Sequence, residues 1–184
     1  AALGLSRPHM PYKGLIMAIL ISPMIVPLII TAAGMFFFYA RINLVYTFTG
    51  VILAHVALAT PFVVITVTAT LVGFDMNMVK AAQSLGAKPM RTFFKVIMPL
   101  ILPGIISGAL FAFITSFDEV VIVMFMASID QLTIPKQMWA GIRQEISPVI
   151  LCMATCLVLL SIFLLTTVEL LRRRSEKLRG IKAR

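Results

Sequence analysis

Two adjacent carboxylates, Asp118 and Glu119, lie inside a long apolar stretch of this chain, about residues 96–126. A charged group at bilayer depth costs several kcal/mol unless it is hydrated or paired, so such residues normally face the protein interior or a water-filled cavity. We predict that Ser116, Asp118 and Glu119 line a substrate path, with the two carboxylates acting as one site. The alternative is structural, with the pair capping a helix break or bonding a neighbouring span.

The composition around this pair is that of an integral membrane protein. Of 184 residues, 60% are hydrophobic and 12% are charged, and the mean hydropathy is +1.04. The charged share is about half that of a soluble domain. The formal charge of +9 indicates basic loops and tails on the cytoplasmic side of a membrane. Nucleic-acid binding is excluded because no soluble basic domain is available to carry it.

Four stretches are long and apolar enough to span a bilayer, at about residues 14–40, 50–72, 96–126 and 148–171. We therefore predict an all-α bundle forming a single transmembrane domain over residues 1–184, with kinks where prolines lie inside the spans. Gly104, Gly108 and Ala112 are spaced by four, which predicts close packing of the third span against another helix. The chain starts at Ala1 without a signal peptide, and we expect further sequence, including earlier spans, to precede it.

The distribution of basic residues predicts the orientation. Three of the 16 Lys and Arg residues, Arg41, Lys136 and Arg143, fall on one side of the four spans, and the other 13 fall on the opposite side. Cytoplasmic loops carry the excess of Lys and Arg. We expect both termini and the loop at residues 73–95 to be cytoplasmic.

The loop at residues 73–95 has the signals of two short helices. Asp75 or Asn77 is placed to cap the first helix. Gly86 favours the left-handed conformation that ends a helix, and Pro89 suits the first position of the next. Small residues beside Gly86 would let another protein approach closely, although a solvated connector is the simpler alternative.

The stretch "KAAQSLGAKPMRTFFKVIMPLILPGI" resembles the signature loop of permease subunits of bacterial ABC-type importers. Ala81, Ala82 and Gly86 match the alanines and the glycine of that signature, and Met98-Pro99 stands where Leu-Pro is common. Lys80 departs from it, since a glutamate is usual there, so this chain lacks that carboxylate at the position. The resemblance covers about residues 3–177 and implies the type I importer permease fold, which usually has about six spans.

The resemblance further implies that this loop is a coupling helix docking on a cytoplasmic ATPase. The coupling residues would be Lys80, Ala81, Ala82, Leu85, Gly86 and Lys88. The implied partners are a second, non-identical permease subunit, two copies of the ATPase and a periplasmic binding protein. The chain lacks a Gly-x-x-x-x-Gly-Lys-Ser/Thr loop, so we expect a transport subunit and not an enzyme. It would hold no cofactor, with ATP and Mg²⁺ bound by the partner.

The segments "SFDEVVI" and "LTIPKQMWAGIRQEISP" resemble the polyamine (spermidine/putrescine) branch of these permeases. An acidic pair suits a polycation and would repel an oxyanion. Importers of iron(III), opines or phosphonates are alternatives, as are a proton-coupled secondary transporter and a non-transporting membrane anchor.

Four other residues attract a functional interpretation. We expect His55 to be a hydrogen-bonded packing residue. Trp139 is expected to be an interfacial anchor, or to touch the substrate or binding protein. Cys152 and Cys156 share a helix face, and we expect packing roles for them and no metal site.

Overall fold

The computed structural model describes residues 1–144 and 147–178, and the regular structure in these ranges is entirely helical. The first five helices are α1 (Ala2–Leu5), α2 (Lys13–Ile25), α3 (Leu28–Arg41), α4 (Phe48–Val72) and α5 (Asn77–Ser84). They are followed by α6 (Pro89–Thr92), a π-helical turn (Phe93–Ile97), α7 (Met98–Phe117), α8 (Val121–Met126), α9 (Ile134–Gln144) and α10 (Pro148–Leu178). The prediction of an all-α protein is confirmed.

Three helical segments are long and apolar enough to cross a membrane: α4, the continuous stretch Pro89–Phe117, and Pro148–Thr167 within α10. Helices α2 and α3 would make a fourth span together, although they are bent by 107° where they meet. The bend has a local cause. Val26 is extended, with φ −72° and ψ 136°, because the ring of Pro27 disfavours helical geometry in the residue before it.

The third predicted stretch also differs from one continuous helix. Helix α7 ends at Phe117, and the chain then turns before α8 begins at Val121. The apolar side of α8 packs onto α3 and α4, where Ile122 and Met126 are fully buried. Burying these side chains stabilises the break. Residues 96–126 therefore contain one long helix and one short helix folded back into the core.

Helices α4 and α7 form the most extensive helix pair. Gly104 and Gly108 of α7 are buried at their contact. A Cβ atom at Gly104 would collide with the Thr70 side chain of α4, and one at Gly108 would lie 3.1 Å from Cα of Val63. The prediction of a small-residue ridge on the third span is thus confirmed at these two glycines.

The two ends of the α4–α7 pair are closed by different elements. At one end Val67, Leu71 and Ile101 are buried together, with Ala2 of α1 packed against them. At the other end Ala54 and Leu58 pack with α3 and α8. Helix α7 has 20 residues, so these ends are about 30 Å apart.

Helix α10 lies largely outside this core. None of the residues in its spanning window is buried within the chain. Cys152 and Cys156 are free thiols and exposed, so they do not have the packing role that we expected within the described part of this chain. Such a face needs lipid or another protein to cover it. Among the described residues, no group of three or more His, Cys, Asp or Glu is placed to hold a metal ion.

Candidate functional site

The break after α7 puts the two adjacent carboxylates in different surroundings. Glu119 is buried, with 6% of its surface exposed. Its Oε1 accepts a hydrogen bond from the backbone N–H of Ile122 at 2.6 Å. This bond satisfies one of the N–H groups that a helix start leaves without a partner. A carboxylate is also favoured there by the helix dipole. Glu119 therefore caps α8, as the structural alternative for this pair would have it.

Asp118 is the C-terminal cap of α7 and is exposed. It lines an open cavity of about 410 Å³ between the end of α7, α9 and α10. The remaining walls are apolar or aromatic except for Ser161: Phe117, Pro135, Met138, Trp139, Ile142, Leu157, Val158 and Ile162. Asp118 is the charged side chain of this lining.

The cavity chemistry suits an organic cation with an apolar body. The carboxylate of Asp118 would pair with an ammonium group, while the apolar walls would contact hydrocarbon. The indole of Trp139 adds a π-face that attracts cations. The Trp139 ring already contacts the guanidinium cation of Arg143, because Cζ of Arg143 lies 5.7 Å from the ring centroid. Trp139 thus belongs to the wall of this cavity, and half of its surface is exposed.

Ser116 lies on a different groove. Its Oγ is 2.8 Å from Nδ1 of His55, which joins α7 to α4 by a hydrogen bond between side chains. The two residues line an open groove of about 420 Å³ together with Thr133. The expected hydrogen-bonded role of His55 is confirmed.

Taken together, the three residues predicted for a substrate path do not line one surface. Asp118 faces the cavity beside α9 and α10, Ser116 faces the groove beside α4, and Glu119 is buried between α7 and α8. Of helix α9, the sequence prediction named Trp139 alone, with substrate contact as one of its alternatives, and the helix itself was not predicted. The spacing of Ile134, Met138 and Ile142 by four residues is typical of one helix face and was the available signal.

The loop at residues 73–95 has the predicted helix–glycine–helix form. Oδ1 of Asp75 accepts a hydrogen bond from the Asn77 N–H at 2.9 Å, at the start of α5. Gly86 has φ +79°, a conformation that glycine adopts without steric cost. Pro89 is the first residue of α6. The glycine turn and the second helix are confirmed, whereas the N-cap position of α5 is held by Met76 and by neither Asp75 nor Asn77.

The six residues predicted for coupling lie on more than one face of this loop. Leu85 is exposed to 88% at the end of α5, and Ala81 and Lys88 are exposed too. Ala82 is partly buried. Lys80 lines a cavity on the inner side of α5, together with Val79 and Gln83.

Residues 1–177 match the family described as "Binding-protein-dependent transport system inner membrane component". The match covers nearly the whole chain. The chain belongs to this family. Its fold is that of type I ABC importer permeases, in agreement with the helical architecture above.

Curated relatives of this permease carry names from polyamine transport. It is 29% identical over 175 residues to the spermidine/putrescine transport system permease protein PotC of Haemophilus influenzae, covering 95% of this chain and 68% of the relative. It is 28% identical over 176 residues to PotC of Escherichia coli K12, covering 96% and 67%. The putrescine transport system permease protein PotI of the same strain is 37% identical over 103 residues, covering 56% and 37%.

Proposed function

We propose that this permease is the transmembrane subunit of an ATP-driven polyamine importer, with Asp118 as a cation ligand on the substrate path. The observation that carries the proposal is the cavity at the end of α7, where, among the described residues, the charged side chain in an apolar and aromatic lining is a carboxylate. A polyamine alternates ammonium groups with methylene segments. In this cavity Asp118 and the indole of Trp139 would attract the ammonium groups, and the apolar walls would contact the methylene segments.

The other substrates weighed above fit this cavity less well. A phosphonate carries negative charge and would be repelled by Asp118, and the carboxylates of an opine would be repelled likewise. Iron(III) favours several oxygen ligands, whereas one carboxylate lines this cavity. The names of the relatives, which specify spermidine and putrescine, support the cationic substrate.

Coupling to ATP hydrolysis would pass through α5. Leu85 and Ala81 form an exposed surface beside the Gly86 turn, suited to docking on the groove of a separate ATPase. ATP and Mg²⁺ would be bound by that partner, and this chain would hold no cofactor of its own. A second permease subunit, two ATPase copies and a periplasmic binding protein would complete the importer. The chain would lie in the inner membrane with residues 73–95 and both termini in the cytoplasm.

A test of the proposed function is Asp118→Asn in the assembled importer, with uptake of labelled spermidine measured against concentration. The substitution keeps the shape of the side chain and removes its charge. We expect uptake at low spermidine to fall at least tenfold, equivalent to about 1.4 kcal/mol. The amount of purified complex should not change, because Asp118 is exposed.

The matched control is Asp130→Asn, which removes the same charge from another exposed residue that lies outside the cavity. It should leave the concentration dependence of uptake as in the wild type. An unchanged apparent affinity in Asp118→Asn would remove Asp118 from the substrate path.

Proton-coupled secondary transport is the alternative that the buried carboxylate of Glu119 favours. The two mechanisms differ in their energy source. Uptake measured with an uncoupler while ATP is held constant should persist for an ATP-driven importer. Loss of uptake under that condition would favour proton coupling.

A further inference from the structure

A second cavity lies at the opposite end of the α4–α7 pair, behind α5. Its volume is about 640 Å³. The segment that includes α1 contributes Ser6 and Arg7, and α5 contributes Lys80 and Gln83. Apolar side chains from the end of α4 and from the π-helical turn, including Leu71, Val72 and Ile97, form part of the wall.

The charged side chains among the described residues that line this cavity are cations. Arg7 and Lys80 come from separate segments, and the described lining contains no carboxylate. Within residues 1–144 and 147–178, neither side chain has an ion-pair partner. Near them in sequence, Asp75 accepts a hydrogen bond from the Asn77 N–H through Oδ1. An anion bound in this cavity would be attracted by both cations.

The polar groups fit a phosphate. A phosphodiester offers several acceptor oxygens, while Arg7, Lys80 and the Gln83 amide supply donors. The apolar part of the wall suits a phosphate that carries a hydrocarbon group. Val72 ends the spanning helix α4, and Ile97 leads into α7, so the cavity opens where spanning helices leave the hydrocarbon. Basic pockets in this position on the cytoplasmic side bind anionic lipid headgroups.

We infer that this cavity binds the headgroup phosphate of an anionic phospholipid, with Arg7 and Lys80 as its charged ligands. The inference rests on the proposed orientation, which puts residues 73–95 at the cytoplasmic leaflet. A lipid held here links the amino-terminal segment to α5. The exposed Leu85 and Ala81 remain available on the rest of α5, so one helix serves a lipid on one face and the ATPase on another.

The test is lipid retention by the complete importer, purified with phosphatidylglycerol and counted by native mass spectrometry. Each cation near an anionic membrane surface contributes about 1 kcal/mol, so Lys80→Gln and Arg7→Gln should each weaken phosphatidylglycerol binding about fivefold. The double variant should lose one lipid per copy of this chain. Lys80→Arg keeps the charge and should retain the lipid, while Lys80→Glu should lose it.

The matched control is Lys13→Gln, a cation predicted for the same side of the membrane that does not line the cavity. It should retain the lipid as the wild type does. Lys80 is exposed, so its single variants should assemble even if the double variant does not. The measurement needs neither substrate nor ATP, so its outcome is independent of whether the importer carries polyamines.

Three results would overturn the inference. Equal retention by wild type and Lys80→Glu would show that the cavity holds no lipid phosphate. Displacement by inorganic phosphate at the same concentration as the lipid would assign the site to a free anion. Weaker association of the ATPase with Lys80→Gln, without any change in lipid count, would assign Lys80 to an acidic side chain of that partner.

Discussion

At the scale of residues, Asp118 and Glu119 are adjacent in sequence but have different structural roles at the end of α7. Asp118 terminates the helix and stays exposed, while the carboxylate of the next residue turns inward to cap α8. The sequence shows two carboxylates in an apolar stretch, but it does not show that α7 ends at Phe117, directly before them. The backbone geometry at that point decides that only Asp118 faces the cavity.

This division of tasks predicts different effects for two substitutions at Glu119. Glu119→Gln keeps an oxygen that accepts from the Ile122 N–H, so the complex should assemble and its apparent affinity for spermidine should stay within about twofold of wild type. Glu119→Ala removes the cap and should cost about 1 kcal/mol of stability. Thermal unfolding and uptake of the purified complexes check both effects. A tenfold loss of affinity in Glu119→Gln would instead place this carboxylate in contact with the substrate.

At the scale of elements, local signals predicted the loop around α5 and the glycine spacing predicted the close α4–α7 contact, but the fold of residues 118–126 was not predicted. The loop around α5 depends on Asp75, Gly86 and Pro89, whose preferences act within a few residues, and its form was predicted correctly. The break after Phe117 depends on α8 burying Ile122 and Met126 against α3. No pattern within residues 96–126 specifies that partner. The bend before Pro27 had a local signal, but its size depends on packing.

The same contrast between local and tertiary signals explains why Asp118 was predicted but its cavity was not. Asp118 was predicted because a carboxylate in an apolar stretch is conspicuous in any sequence. Its cavity is completed by α9 and α10, which are apolar surfaces from distant parts of the chain. Their apolar side chains were assigned to the bilayer or the interface by composition. Only the fold shows that Trp139 and Leu157 face the same space.

The turn at Gly86 gives a prediction at this scale. A residue other than glycine costs about 1–2 kcal/mol in the left-handed conformation, and a β-branched one is the least suited. Gly86→Val should therefore lower both uptake and substrate-stimulated ATP hydrolysis, with normal membrane insertion.

The space around Gly86 is open to 4 Å, so a side chain as such is tolerated there. Gly86→Asn is the matched control, because asparagine adopts positive φ more readily, and it should retain most activity. Equal activity of the two variants would contradict a coupling role for the turn.

At the scale of the whole molecule, the chain has a small core and a large apolar surface. The described core consists of two clusters at the ends of the α4–α7 pair. Outward-facing side chains such as Phe37, Phe38 and Phe163 are exposed to 60% or more. A soluble monomer rarely exposes apolar surface on this scale. Lipid and the proposed second permease would cover it, so the subunit should be stable only in its membrane complex.

The orientation gives the last prediction, and it also tests whether α2 and α3 form one broken span. Exposed Cys152 and Cys156 must first be replaced by serine, since free thiols would react with the label. A cysteine introduced at Ala87 should react with a membrane-impermeant maleimide only in inside-out vesicles, and one at Gln137 only in spheroplasts. Because α4 crosses the membrane, a cysteine at Thr49 should be labelled from outside together with Gln137 in either arrangement of α2 and α3. His9, an exposed residue before α2, distinguishes the two arrangements. If the bent pair crosses the membrane, a cysteine at His9 should be labelled from inside, together with Ala87. If the pair enters and leaves on one side, His9 should be labelled from outside, together with Thr49. Labelling of Ala87 from outside would reverse the orientation and remove α5 from reach of any cytoplasmic ATPase.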